Sequence, residues 1–495
     1  MIRGVIPMKT TYVAIAALCF VALLLSGGMS GIVSAASGSD PMSRIRLETG
    51  HTDEWNGGDY VAVNMTDGIN FAWFAVIYGT EEQPAPITIV GATLRYLGGA
   101  QVVNSDGNTI LNQVPIPVLT AFGQSLFAIF EFDDTGYDVP LLGNYGAGNG
   151  LFDFSGPTLW SGIGAFEPVY KYVDLKRAWT LSDIVTIEDA ANQSKSYDFS
   201  LYALNVTYTK VWDADLLQYR NGTEADGMVE RLEFRFHIVA SAQTVTTEVP
   251  FYKVTLNDGH VTDSEAIAPR NYTGTNVDCG IKFDHVIQGW DAYANATAPK
   301  IMLENVMAFG MFVPKIVEEW YNVQFVKDHI DNGTGAIEYE TQDGVQVSKQ
   351  QEELPLRSQL LTRTSIHSMD NWEQCGTLTW VSNVTVDGQE KQMHYQIHAG
   401  SHNFLPKSND GQLKLLVVLG GYIYPMGTDV YHDPSLFGEA FQLDIDGLKV
   451  LMVLLVVAVV VVGAGMVVIL MIIRHMNKKG RQKFDYRTPP EYRGP

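Results

Sequence analysis

Alternation of apolar and polar residues is the commonest pattern along this chain. Leu232-Glu233-Phe234-Arg235-Phe236-His237-Ile238 switches at every step, the period of a strand with one buried face. Tyr197 to Tyr208 is rich in aromatic and β-branched residues, which suit a pleated, half-buried surface. Asp-Gly occurs at Asp67, Asp106, Asp226, Asp258, Asp343, Asp387, Asp410 and Asp446. Between alternating runs it signals a hairpin, because both residues accept positive φ. The pattern predicts a mainly β fold of antiparallel, sandwich-like domains. One hairpin can be specified: Thr377 to His398, turned by Asp387-Gly388. It should pair Trp380 with Tyr395 and Leu378 with Ile397, and set Asn383 beside Gln392 on a polar face with Glu390, His394, Gln396 and His398. Ala298 to His329 is ambiguous. Met302, Val306, Phe309 and Val313 have helical spacing, but Gly310 and Pro314 interrupt it, and buried strands fit equally well.

Two apolar runs lack any alternation. Val13 to Leu25 follows the basic residues Arg3 and Lys9 and precedes the small residues Val33-Ser34-Ala35-Ala36, the pattern of a cleaved secretory signal. Val450 to Ile473 carries no charge and is long enough to cross a bilayer as a helix, roughly 36 Å at 1.5 Å per residue. Arg474, His475, Lys478, Lys479, Arg481 and Lys483 follow it, which puts the C-terminal end in the cytoplasm by the positive-inside rule. The expected organisation is a signal peptide (1–35), a β-rich extracellular domain (36–175) and a second β-rich extracellular region (176–435) with a further division near 245–270. A stalk (436–449), a transmembrane helix (450–473) and a basic cytoplasmic tail (474–495) complete it. Residues 165–180 are the other place where a domain break is expected.

Charge sharpens this picture. The formal net charge is −22, but between Ala36 and Lys449 there are 24 basic against 53 acidic side chains, a net of −29. Such an acidic body excludes nucleic acid as a partner, whereas the basic tail suits anionic lipid headgroups. Past the signal, Cys279 and Cys375 are the two cysteines, expected to pair in an oxidising compartment. Eight Asn-x-Ser/Thr sequons stand at Asn64, Asn192, Asn205, Asn221, Asn271, Asn295, Asn332 and Asn383, candidate glycosylation sites.

Catalytic signatures are missing: the chain has no Gly-x-Ser-x-Gly, His-Glu-x-x-His, Cys-x-x-Cys or phosphate-binding glycine loop. Asp213-Ala214-Asp215 reads as a solvated turn. No cofactor is expected. The one metal the residues suggest is calcium, with Asp133, Asp134, Asp138, Asn149 and Asp153 as candidate ligands. Tyr145, Ala147 and Gly148 stand where further oxygen ligands should be. His394, His398 and His402 are spaced to chelate a metal from a helix, but the surrounding alternation says strand, where they spread too far apart. Pro489-Pro490-Glu491-Tyr492 has the form of a WW-domain ligand. The reading these features favour is a single-pass type I surface or envelope glycoprotein of the cell membrane. It would act by binding an extracellular partner or as part of a surface coat, and not as an enzyme. A membrane-anchored hydrolase with a site assembled only in three dimensions, and a membrane fusogen, are the alternatives. Protease added outside intact cells should digest the body and spare a fragment containing Val450 to Pro495; loss of the tail with the body intact would reverse the topology.

Overall fold

The computed structural model describes residues 41–52, 58–67, 70–134, 137–139, 143–145, 150, 152, 167–257, 260–314, 337–341, 346–349, 359–370, 373–380, 383–402 and 411–443. A 3₁₀ turn, Pro41–Arg44, leads into an antiparallel meander: β1 (Ile45–Thr52), β2 (Gly58–Asp67), β3 (Asn70–Tyr78), β4 (Ile87–Asn104) and β5 (Thr109–Asp133). Short β6 (Tyr137–Val139) and β7 (Gly143–Tyr145) pair with each other, and β8 (Val169–Asp174) returns to β5. Then come β9 (Thr180–Leu181), β10 (Val185–Asp189), β11 (Ser194–Thr207), β12 (Lys210–Asp213) and β13 (Gln218–Arg220). The longest strands, β14 (Met228–Asn257) and β15 (His260–Gln288), form one hairpin. The rest are β16 (Pro299–Pro314), β17 (Ile337–Thr341), β18 (Gln346–Lys349), β19 (Gln359–Asp370), β20 (Glu373–Trp380), β21 (Asn383–Val386), β22 (Gln389–Gln392), β23 (His394–His402), β24 (Gly411–Pro425), β25 (Val430–His432) and β26 (Pro434–Leu443).

The chain is thus mainly β and antiparallel, as its alternation predicts. All described residues belong to one compact unit. Pairing continues through both expected break points, with β8 on β5 and β14 on β15. β4, β5, β16, β24, β23, β19, β20, β26, β15 and β14 form a closed circuit of hydrogen-bonded neighbours, antiparallel at each step except β14–β4. Closure leaves these strands few open edges on which another chain could pair. At the parallel step a Cβ on Gly99 would lie 2.1 Å from the Phe251 ring, so the buried phenyl needs glycine there.

β14 shows why the alternation produces layers. Leu232, Phe234, Phe236 and Ile238 are buried, while Arg235 and Val239 are exposed. Phe234 meets Trp179 (5.4 Å) and His285 (5.5 Å), and His285 on β15 meets Tyr422 on β24 at 5.0 Å across the core. Two sheet layers therefore enclose the apolar side chains. β16 resolves the ambiguous segment as strand through Pro314; residues 315–329 lie outside the described residues. Its residues Ile301 to Met307 are all buried, because both faces are covered, and such a strand loses its alternation.

The Asp387-Gly388 turn forms as expected, with φ of 52° and 74°, and Asn383 stands opposite Gln392. The hairpin stops there, however. Trp380 pairs with Thr364 and Pro434, and Tyr395 with Tyr422 and Leu361. The expected Trp380–Tyr395 and Leu378–Ile397 pairs are therefore absent. Deep burial of Tyr395 against the Tyr422 ring, centroids 4.9 Å apart, offers more than a two-stranded ribbon could. Gln396, expected on a solvated face, is fully buried and exchanges hydrogen bonds with the Phe152 backbone. The stalk expected from residue 436 begins instead as β26, paired with β15 and β20. Among the described residues no helix is long and apolar enough to cross a membrane; the signal, the expected span and the tail lie outside them.

Several buried side chains break the apolar rule, and one of them ties stability to pH. Glu304 on β16 lies in a row with Ala128, Gly421 and Gln396. It is buried, with no hydrogen-bond partner for Oε1. Burial pushes its carboxyl up from 4.5 to about 8, because a charge there would be unsolvated. Between those values the folded chain holds a proton that the unfolded chain has released. The contribution of this group to stability is therefore greatest at acid pH and falls as pH rises toward 8, by about 1.4 kcal/mol per unit at most. Denaturant titrations from pH 5 to 9 should show this decline, and Glu304→Gln should flatten it and stabilise the protein at pH 8; equal slopes in the two proteins would contradict the assignment.

Candidate functional site

β11 pairs with β14 from Ser194 to Thr207, with a break only at Asn205. Its other edge is taken by β10 at residues 194–198 and by β9 at Leu201 and Tyr202. Beyond Tyr202 no described strand pairs with that edge, and a groove of about 630 Å³ lies along residues 203–207. Asp59 and Tyr78, opposed in the β2–β3 ladder, supply part of the opposite wall, with Thr80, Glu81 and residues 177–181 completing it. Gly79 lets that segment come close. A Cβ there would lie 2.1 Å from the Ala85 nitrogen and 2.2 Å from the Arg177 carbonyl oxygen. The Trp179 amide can then donate to the Gly79 carbonyl at 2.9 Å.

The groove has a definite chemical character. Asp59 and Glu81 bring carboxylates and Arg177 a guanidinium. Burial, followed by the Asp59 charge, pushes the Tyr78 hydroxyl up to about 12, so it is a neutral donor at physiological pH. Arg231 lies over the Tyr202 ring at 5.0 Å. These groups can hydrogen-bond a polar ligand. Nothing in their arrangement pairs a nucleophile with a base.

A second polar centre is internal. Lys171 on β8 is buried, and its Nζ donates to the carbonyl oxygens of Asp291 (2.6 Å) and Asp226 (3.2 Å) and to Asp291 Oδ2 (3.2 Å). It also sits 4.6 Å from the Tyr208 ring, a cation–π contact. Its cross-strand neighbour Glu131 accepts from Trp290 Nε1 (3.1 Å) and the Tyr293 amide (2.8 Å). Burial raises the Glu131 carboxyl pKa, opposed chiefly by the Tyr293 and Trp290 hydrogen bonds. Arg220 forms a two-pronged pair with Asp226 and also reaches Asp213 at 3.4 Å. Together these groups fasten the loops around residues 226 and 291 to β5 and β8. Sequence reasoning missed this centre, whose members lie far apart in the chain and share no motif.

Several residues singled out in the sequence take structural parts. Asp133 accepts from the Thr297 amide (2.9 Å), the Ala298 amide (2.5 Å) and Tyr170 Oη (3.2 Å). Asp134 accepts from the Gly150 amide at 3.0 Å and lies 3.6 Å from Lys300 Nζ. Asp138 falls on β6, while Asn149 and Asp153 lie outside the described residues. Among the described residues no group of three or more His, Cys, Asp or Glu side chains is placed to hold a metal ion. Asp213 Oδ1 accepts from the amides of Asp215 and Leu216, so Asp213-Ala214-Asp215 is the turn its composition suggests. His394, His398 and His402 all fall on β23. His394 is half-buried instead of solvated, and burial, then the Lys300 charge, lowers its pKa.

The cysteines lie on different strands. Cys279 on β15 faces Gly438 of β26, whose other edge pairs with β20, the strand of Cys375. Two strand spacings are about 9.6 Å, whereas bridged Cα atoms lie within roughly 7 Å. A direct bridge therefore requires β26 to leave its place between them. Of the sequon asparagines, Asn192, Asn205, Asn221, Asn271, Asn295 and Asn383 are exposed. Asn64 is only 7 % exposed, within β2 between β1 and β3, and Asn332 lies outside the described residues. No protein-family model matches the chain, and no match to it was found among curated proteins. The Lys171 centre should be essential to folding. Lys171→Met leaves two carbonyls and a carboxylate without their donor, so chemical denaturation should show a loss of about 2–5 kcal/mol; a loss below about 0.5 kcal/mol would make it an ordinary surface ion pair.

Proposed function

We propose that this chain is an extracellular, membrane-anchored glycoprotein that acts by binding or as part of a surface coat, without catalysis. The observation that carries the reading is the placement of its sequons. Six of those in the described residues are exposed on the β body, open to solvent as an attached oligosaccharide requires. The expected signal, the charge-free run Val450 to Ile473 and the basic residues after it supply the topology. The acidic surplus of the body suits a soluble outer face that repels its neighbours unless cations or a basic partner intervene.

Two of the buried acids support a binding role over a hydrolytic one. Glu131 and Asp133 each accept several hydrogen bonds from the surrounding chain, which commits them to holding loops together. Glycopeptide mapping of protein taken from its native membrane should find sugar at exposed sequons and none at Asn64, whose position inside a sheet bars the transferase from folded chain. Unmodified asparagine at every sequon would overturn the glycoprotein reading.

A further inference from the structure

We propose that the groove beside residues 203–207 is the seat of the chain's own N-linked sugar, attached at Asn205. The inference rests on the glycoprotein reading and deepens it. Asn205, Val206 and Thr207 form a sequon, and all three line the groove. Asn205 has φ of +51° and no partner on β14, where its neighbours Leu204 and Val206 oppose Arg231 and Val229. Glu230 is skipped in the same way, so the register runs on unchanged past this one irregular pair, which leaves the asparagine exposed while its neighbours stay in the ladder.

The groove suits a sugar in size and chemistry. Its volume of about 630 Å³ falls within the roughly 300–1,000 Å³ of sites that hold small ligands. Asp59, Thr80, Glu81 and Arg177 offer acceptors and donors for hydroxyl and acetamido groups, and Tyr202 adds an aromatic edge. Attachment to the groove's own wall gives the first sugars a high effective concentration. Once seated, they also cover Leu204, 53 % exposed, and the open edge of β11, which would otherwise invite pairing by another copy.

The test uses the full-length protein purified from its membrane, with glycopeptide mapping and timed release by a peptide N-glycosidase. Native protein should release the Asn205 sugar about tenfold more slowly than sugars at other exposed sequons, and denatured protein should release all of them alike. Asn205→Gln should lower the melting temperature and promote self-association, whereas Asn192→Gln should do neither. Glu81→Ala, an exposed change in the opposite wall, should speed native release at Asn205 alone. Equal native release at all sites would overturn the proposal. So would an unmodified Asn205 beside other modified sequons, while leaving the glycoprotein reading intact. No sugar at any sequon would overturn both.

Discussion

From Arg231 to Asn257, β14 is hydrogen-bonded to β15, and the remaining edges of this hairpin take up strands from both halves of the chain. β11 and the tip of β4 add to β14, while β25 and β26 add to β15. Its inner face supplies Phe234, Phe236, Phe283 and His285 to the core. Register within it follows from side-chain alternation, since a slip of one residue would turn all of these outward. The hairpin shifts register where Pro250 and Pro269 interrupt the ladder, between Val249↔Arg270 and Phe251↔Ile267. Proline has no amide proton to give, so the pairing must skip there, and the far segment is freed to meet β4 in parallel.

The core so formed is unusually polar in places. Tyr424 Oη lies 2.7 Å from His285 Nδ1 and 3.3 Å from His432 Nδ1. Tyr395 donates to Asn305 Oδ1 at 2.9 Å. Burial, and then the neighbouring His432, holds His285 well below its ordinary pKa, so it stays neutral near pH 7. Hydrogen bonds to partners fixed in advance offset part of the cost of burying such groups. The rigid hairpin provides that fixity, and the Lys171 centre extends it to the loops.

What the sequence revealed follows the same logic. β14 was legible because water lies on one side of it, which writes a period of two into the residues. β16 was not, since Ile301 to Met307 are buried throughout and the apolar run carries no period. Asp387-Gly388 announced its turn, yet the reach of that hairpin depended on competition from β19, β24 and β26, which no local pattern records. Lys171, Glu131 and Asp291 meet only through the sheet, and Gln396 looked solvated because its partner Phe152 is 244 residues away.

If β14–β15 is the spine, its amides should be the last to open. Hydrogen–deuterium exchange read by mass spectrometry tests this directly, because amides at the centre of the spine exchange only through global unfolding. The slowest exchange in the body is expected over Leu232 to Ile238 and Ile281 to Ile287. Complete exchange of those segments while the β4–β5 ladder remained protected would contradict the account and move the organising element elsewhere.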